Sequence, residues 1–189
     1  MKHREALERE NEEQSGFWGD VDIKDCVACI EYLIKMNLVD PNKIAIRGGS
    51  AGGYTTLAAL AASTLFKAGA SYYGVSDLFA LANDTHKFES RYLDRLIGSL
   101  PKFKDVYEGR SPINKLDRIV SPLLVLQGDE DKIVPPNQAE KIVQALKSRN
   151  VRVEYQLYKG EQHGFRKAET IIDSLNKELE FYLSVFENI

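Results

Sequence analysis

The stretch Lys43-Ile44-Ala45-Ile46-Arg47-Gly48-Gly49-Ser50-Ala51-Gly52-Gly53, running into the alanine-rich segment from Tyr54 to Leu65, decides the fold. Lys43 to Arg47 read as a short buried strand, bounded upstream by the turn Asp40-Pro41-Asn42 and downstream by glycines. The alanine-rich segment reads as a helix, from about Tyr54 to Leu65. Between them, Gly48-Gly49-Ser50-Ala51-Gly52 fits the pattern G-x-S-x-G in a strand-to-helix setting. In such a turn the serine takes strained backbone angles and its hydroxyl stands clear of the sheet. Glycines at 48 and 52 let strand and helix approach without Cβ clashes. Ser50 is therefore the candidate nucleophile. The N–H of Ala51, at the start of a helix, is the candidate donor to a developing oxyanion. The competing readings are a plain connecting turn and a phosphate-binding loop, but the sequence has neither G-K-[ST] nor G-x-G-x-x-G here.

Upstream, Ile23, Val27, Ile30 and Ile34 fall at helical spacing, which predicts a helix from Asp22 to Met36 ended by Asn37. Downstream, a strand is expected at Ala68 to Tyr73, then the turn Gly74-Val75-Ser76-Asp77. Leu78 to Leu116 is irregular and helical, long enough to be an insertion or a cap over a site. Leu123 to Leu126, between Pro122 and Gly128, reads as a buried strand. A helix from Asn137 to Arg149, a strand from Arg152 to Tyr158 and a final helix from about Ala168 to Phe186 follow. Strands alternating with helices predict an α/β fold, a parallel sheet with helices on both faces.

A serine hydroxyl is a weak nucleophile until a base takes its proton, and that base needs a carboxylate to orient it. On strand–turn–helix nucleophiles the chain order is Ser, then Asp or Glu, then His. The chain has three histidines. His3 precedes the serine and His86 lies in the cap-like stretch. His163 follows the last strand, between Gly160 and Gly164, where a loop can aim its imidazole at the turn. His163 is the candidate base. Gln127-Gly128-Asp129-Glu130-Asp131-Lys132-Ile133-Val134-Pro135 offers three carboxylates after the preceding strand, and Asp77 is a rival acid after the strand before that.

At 189 residues the chain is sized for one domain. A composition of 43% hydrophobic and 28% charged residues excludes wholesale disorder, and a net charge of -3 argues against nucleic acid or an anionic membrane as a partner. Residues 1–15 read as a charged N-terminal arm without the apolar core of a signal peptide, and 16–189 as the folded part. No apolar run approaches the ~20 residues needed to span a bilayer. Cys26 and Cys29 sit one helical turn apart in an amphipathic helix, with no second pair near them. They read as packing residues rather than a zinc or redox site, and a cytoplasmic location follows. No metal or organic cofactor is implied.

Ile46 to Tyr54, Gln127-Gly128 through Val134-Pro135, and Gly160-Glu161-Gln162-His163-Gly164-Phe165-Arg166-Lys167 follow one another in order. Together they resemble the prolyl oligopeptidase family, and most closely its acylaminoacyl-peptidase and dipeptidyl-peptidase-like branch. Thr85 to Tyr92 also looks like that branch. The resemblance implies an α/β-hydrolase domain cleaving short peptides through an acyl-enzyme. Ser50 matches the nucleophile, His163 the base and Ala51 the first oxyanion donor. In the family pattern the acid is the third residue after the loop glycine, which selects Asp131. Candidate substrate-binding residues are Gly49 and Tyr73, beside the turn, and Glu89, in the Thr85–Tyr92 stretch.

The chain also departs from that family. Ahead of Lys43 there is one helix and the arm, with no readable strand, where an α/β-hydrolase sheet has several and draws its second oxyanion donor from a loop among them. The resembling family also uses a tyrosine hydroxyl from that region and carries a β-propeller. Tyr32, in the helix, is the only tyrosine before Ser50. A strand left at the edge exposes unpaired backbone groups, so self-association or a covering partner is expected. Three functions remain: an exopeptidase-type serine peptidase, an esterase or thioesterase on the same triad, and a catalytically impaired remnant dependent on a partner.

Overall fold

A computed structural model describes residues 16–84 and 92–187. Helix α1 (Val21–Lys35) precedes β1 (Ala45–Gly49), α2 (Ala51–Ala62) and β2 (Ala68–Tyr72). Short helices α3 (Leu78–Asp84), α4 (Tyr92–Leu96) and α5 (Lys104–Arg110) and a 3-10 turn, Pro112–Arg118, lead to β3 (Leu123–Gly128). Then come α6 (Pro136–Ser148), β4 (Val153–Tyr158) and α7 (Ala168–Phe186). None of the described helices is long and apolar enough to cross a membrane.

The four strands lie in chain order, β1-β2-β3-β4, all parallel, with Arg47 opposite Ala70, Ser71 opposite Val125 and Val125 opposite Tyr155. Each crossover steps the same way, and right-handed connections then place α2 and α6 on one face. There Leu57, Leu60, Phe66, Leu123, Val125 and Ile142 form the larger core. Ile23, Val27, Ile30 and Ile34 of α1 pack against it at the spacing the sequence predicts. The other face of β3, Leu124 and Leu126, meets Phe181 and Val185 of α7. A third cluster joins Tyr54, Leu78, Leu93, Ile97 and Tyr107, so the described residues 78–84 and 92–110 pack over the first half of α2. The sheet with helices on both faces is therefore as expected.

Two boundaries move at the serine turn. β1 runs to Gly49 rather than Arg47, because Gly48 and Gly49 keep pairing with Ser71 and Tyr72 although they have no side chains to pack. Helix α2 starts at Ala51 rather than Tyr54, which makes Gly52 and Gly53 helical.

The two sheet edges differ in character. Beside β4, Arg152 and Glu154 form an ion pair at 2.6 Å, the charged decoration that discourages further pairing. β1 carries one charged side chain, the exposed Arg47, whose guanidinium pairs with the buried Glu178 of α7 at 2.7 Å. Among the described residues, no strand pairs with the outer edge of β1. Exposed apolar residues are prominent on α1 and at its C-cap (Tyr32, Met36) and on α7 (Leu175, Leu179). On α7 they belong to the flank nearer β1: Ile171 and Leu175 line a cavity with Arg47 and Gly49, whereas Asp173 and Ser184 reach Tyr158 and Arg152 on the β4 side.

Candidate active site

Ser50 sits where β1 becomes α2, with φ 55° and ψ -117°. A positive φ is unfavourable for a residue with a side chain, so neighbours must hold it there. Its N–H donates to the carbonyl of Tyr72 at 3.0 Å, and its carbonyl accepts the N–H of Tyr54 at 3.0 Å. Serine at a helix N-cap ordinarily turns its hydroxyl back to the first-turn amides. Here no side-chain cap forms, and Oγ lies 2.6 Å from Nε2 of His163 instead.

The glycines show how the turn is made. A Cβ at Gly48 would stand 2.2 Å from the carbonyl oxygen of Gly52, and one at Gly53 would stand 2.6 Å from Cα of Gly74. Gly52 itself has open space where a side chain would go. Of the two glycines that the motif assigns to close packing, the strand glycine is therefore sterically required. The helix-side requirement falls on Gly53, because α2 crosses the loop after β2 there.

His163 lies in the loop after β4 and joins the two other residues. Its Nδ1 is 2.9 Å from Oδ2 of Asp131. Asp131 is 3% exposed, and its Oδ1 accepts the N–H groups of Ile133 and Val134, each at 2.9 Å. Burial works against its charge, but the bonds from His163, Val134 and Ile133 outweigh that and hold its pKa below the usual aspartate value. The rival carboxylates are engaged elsewhere: Asp129 accepts the N–H of Gly160 at 2.6 Å, Glu130 is exposed, and Asp77 caps α3 through the N–H groups of Phe79 and Ala80.

Gln127 is a partner that the sequence reading passed over. It is 1% exposed, and its Nε2 donates to Oδ2 of Asp131 at 3.1 Å and to the carbonyl of Val134 at 3.0 Å. Its signal was available: it is the one polar side chain in the buried run of β3. Tyr73 packs edge-on against the His163 ring at 5.1 Å and against Phe165, over Gly49. With Gly49, Arg47 and Phe165 it lines an open cavity of about 350 Å³ beside the turn. His86 and Glu89 lie outside the described residues. Cys26 and Cys29 are free thiols on α1, and the described residues hold no cluster suited to a metal ion.

If Asp131 is the acid that the sequence predicts, replacing it with Asn should cut hydrolysis by roughly 10⁴-fold, because the amide favours the wrong histidine tautomer while the geometry survives. It should also change acid stability. A carboxyl with a lowered folded-state pKa stabilises the fold above its unfolded value, about 3.9 for aspartate, and loses that contribution as the pH falls through the folded value. Urea titrations of the wild type and Asp131→Asn should therefore differ above about pH 4 and converge below it. A gap unchanged down to about pH 2 would contradict the lowered pKa.

A parallel sheet with a serine on a strand–helix turn, and a histidine and an aspartate brought to it from the ends of later strands, is the arrangement of the α/β-hydrolases, and the fold of this chain is theirs. Within that class the chain belongs to the prolyl oligopeptidase family, whose sequence model matches residues 9–188. A puromycin-hydrolysing peptidase of Mycobacterium tuberculosis superposes with a TM-score of 0.89 at 47% identity, over 93% of this chain and 27% of that one. Dipeptidyl aminopeptidase BIII of Pseudoxanthomonas mexicana is 30% identical over 161 residues, which is 82% of this chain and 23% of the relative. Esterase LipQ of Mycobacterium tuberculosis is 30% identical over 168 residues, 80% of this chain and 39% of the relative. The chain thus spans about a quarter of the length of the peptidases it matches.

Proposed function

We propose that the chain acts as a serine peptidase on short peptides, by an exopeptidase-type cleavage through an acyl-enzyme. Ser50 attacks the scissile carbonyl. His163 takes the hydroxyl proton at Nε2 and returns it to the leaving amine. Asp131 holds the imidazole with Nδ1–H toward itself and stabilises the imidazolium. The N–H of Ala51, at the positive end of α2, donates to the oxyanion. The observation that carries this reading is the unbroken chain of contacts Ser50–His163–Asp131, at 2.6 and 2.9 Å. Family membership and the peptidase relatives support it. Labelling of the purified protein by a fluorophosphonate probe tests it. Ser50 should react and Ser50→Ala should abolish the reaction, whereas a folded sample that stays unlabelled would favour the impaired-remnant reading.

A second reading, an esterase or thioesterase on the same three residues, is favoured by the match to an esterase. Aminoacyl and acyl-aminoacyl p-nitroanilides set against p-nitrophenyl esters separate the two. Appreciable amide turnover selects the peptidase, and ester turnover alone selects the esterase.

We also infer that the outer edge of β1 is covered in the working protein, by a second copy or by another polypeptide. An edge strand whose single charged side chain is paired with Glu178, flanked on α7 by exposed apolar side chains, is a poor surface to leave in water. Analytical ultracentrifugation should find self-association of the isolated chain. A soluble, well-folded monomer at micromolar concentration would sink this idea.

A further inference from the structure

The loop that carries His163 is tied down by an acid that none of the roles above uses. Glu161 is 2% exposed. Its Oε2 accepts the N–H of Arg166 and its Oε1 the N–H of Lys167, each at 3.0 Å. These donors belong to the entry of α7, where the N-cap residue Lys167 makes no side-chain cap of its own. Glu161 therefore caps α7 from the far side of the loop, and a carboxylate at a helix N-terminus suits the helix dipole.

The backbone of the same residue faces the other way. Its carbonyl accepts the N–H of Glu130 at 3.0 Å, one residue before Asp131. Gly128 approaches so closely that a Cβ there would stand 2.4 Å from that carbonyl oxygen. Glu161 thus binds the start of α7 through its side chain and the acid loop through its main chain. His163, two residues on, sits in the short turn closed by the Gln162–Gly164 bridge. A rigid anchor on both sides is what an imidazole needs if Nδ1 and Nε2 are to meet two partners at once.

We propose that Glu161 is a positioning residue for His163: it touches neither Ser50 nor substrate, and fixes the loop so that the imidazole spans Asp131 and Ser50. This rests on the reading of His163 as the base. The carboxylate matters chemically. Two backbone donors arrive on two different oxygens, and glutamine offers one acceptor oxygen and sets an NH₂ against the other donor.

The test compares the wild type, Glu161→Gln, Glu161→Ala, His163→Ala and the double variant Glu161→Ala with His163→Ala. The readouts are the rate of fluorophosphonate labelling and the downfield proton resonance of the His163 Nδ1–H bonded to Asp131. Glu161→Ala is expected to slow labelling by roughly 10²-fold, the cost of a small misplacement of a catalytic group. Glu161→Gln should fall between it and the wild type. The double variant should label no more slowly than His163→Ala alone, because Glu161 acts only through the histidine. A general structural role would instead slow the His163→Ala background by the same factor, and that result overturns the proposal, as does wild-type labelling by Glu161→Ala. If Glu161→Ala does not fold, Glu161→Gln and its own double variant carry the same comparison. If the wild type itself does not label, the serine-hydrolase reading fails, but the resonance still decides: its loss in the Glu161 variants supports the positioning role and its persistence overturns it.

Discussion

Replacing His163 with Ala is expected to lower hydrolysis by roughly 10⁶-fold, and adding Ser50→Ala to that variant should cost almost nothing more. The two side chains meet at 2.6 Å, and in the proposed mechanism they share one proton-transfer step, so the loss of either removes the same event. With the proposed base gone, Ser50 would stay a protonated alcohol at neutral pH, leaving binding plus the proposed oxyanion donor at Ala51. Initial rates on the best substrate from the p-nitroanilide panel would measure this. Additive losses in the double variant would mean that the serine and the histidine act in separate steps, and the assigned relay would have to be abandoned.

The second large effect concerns packing. Gly48→Ala places a methyl group 2.2 Å from the carbonyl oxygen, 2.3 Å from the carbonyl carbon and 2.8 Å from Cα of Gly52. All three are backbone atoms, so no side chain can swing away. Either β1 shifts off α2 or the first turn of α2 unwinds. Stability should fall toward the upper end of the roughly 1–3 kcal/mol range for overpacking, or beyond it. Because Ser50 lies between the two displaced elements, activity should fall by roughly 10²-fold as well. Gly52→Ala supplies the contrast. Its Cβ enters open space within a helical turn, so thermal denaturation should show it unchanged or slightly more stable. Equal destabilisation by the two substitutions would contradict the packing described for this turn.

That contrast bears on what the sequence can convey. The alternation of strand and helix was legible because each element carries its own pattern, as in the continuous apolar run of β3 and the three- and four-residue spacing of α1. The ends of β1 and α2 were less so. Glycine weighs against both strand and helix by propensity, and tertiary contacts with β2 and with the loop after it override that preference at 48, 49 and 53. Ser50 and His163 stand out as candidates from local context, and the structure brings them together. Asp131 could not be separated from Asp129 and Glu130 by type or position alone and needed the family resemblance. In the structure it is burial and the N–H groups of Ile133 and Val134 that distinguish it. Gln127 and Glu161 are harder still. A polar residue signals its purpose through the partner it reaches, and Arg166, Lys167 and Val134 become partners only when loops close around them.

Ser50 and His163 are 113 residues apart in the chain, and the second, third and fourth strands all lie between them. Helices can form early in such a chain, but parallel strands pair only after long loops have been closed, which makes non-local sheet pairing the slow part of assembly. On the proposed function, Ser50 is therefore a clock for refolding. Its response to a covalent probe returns when the last strand has found its register, well after the far-ultraviolet signal of the helices. A pulse of probe at successive times counts the molecules whose sheet is finished.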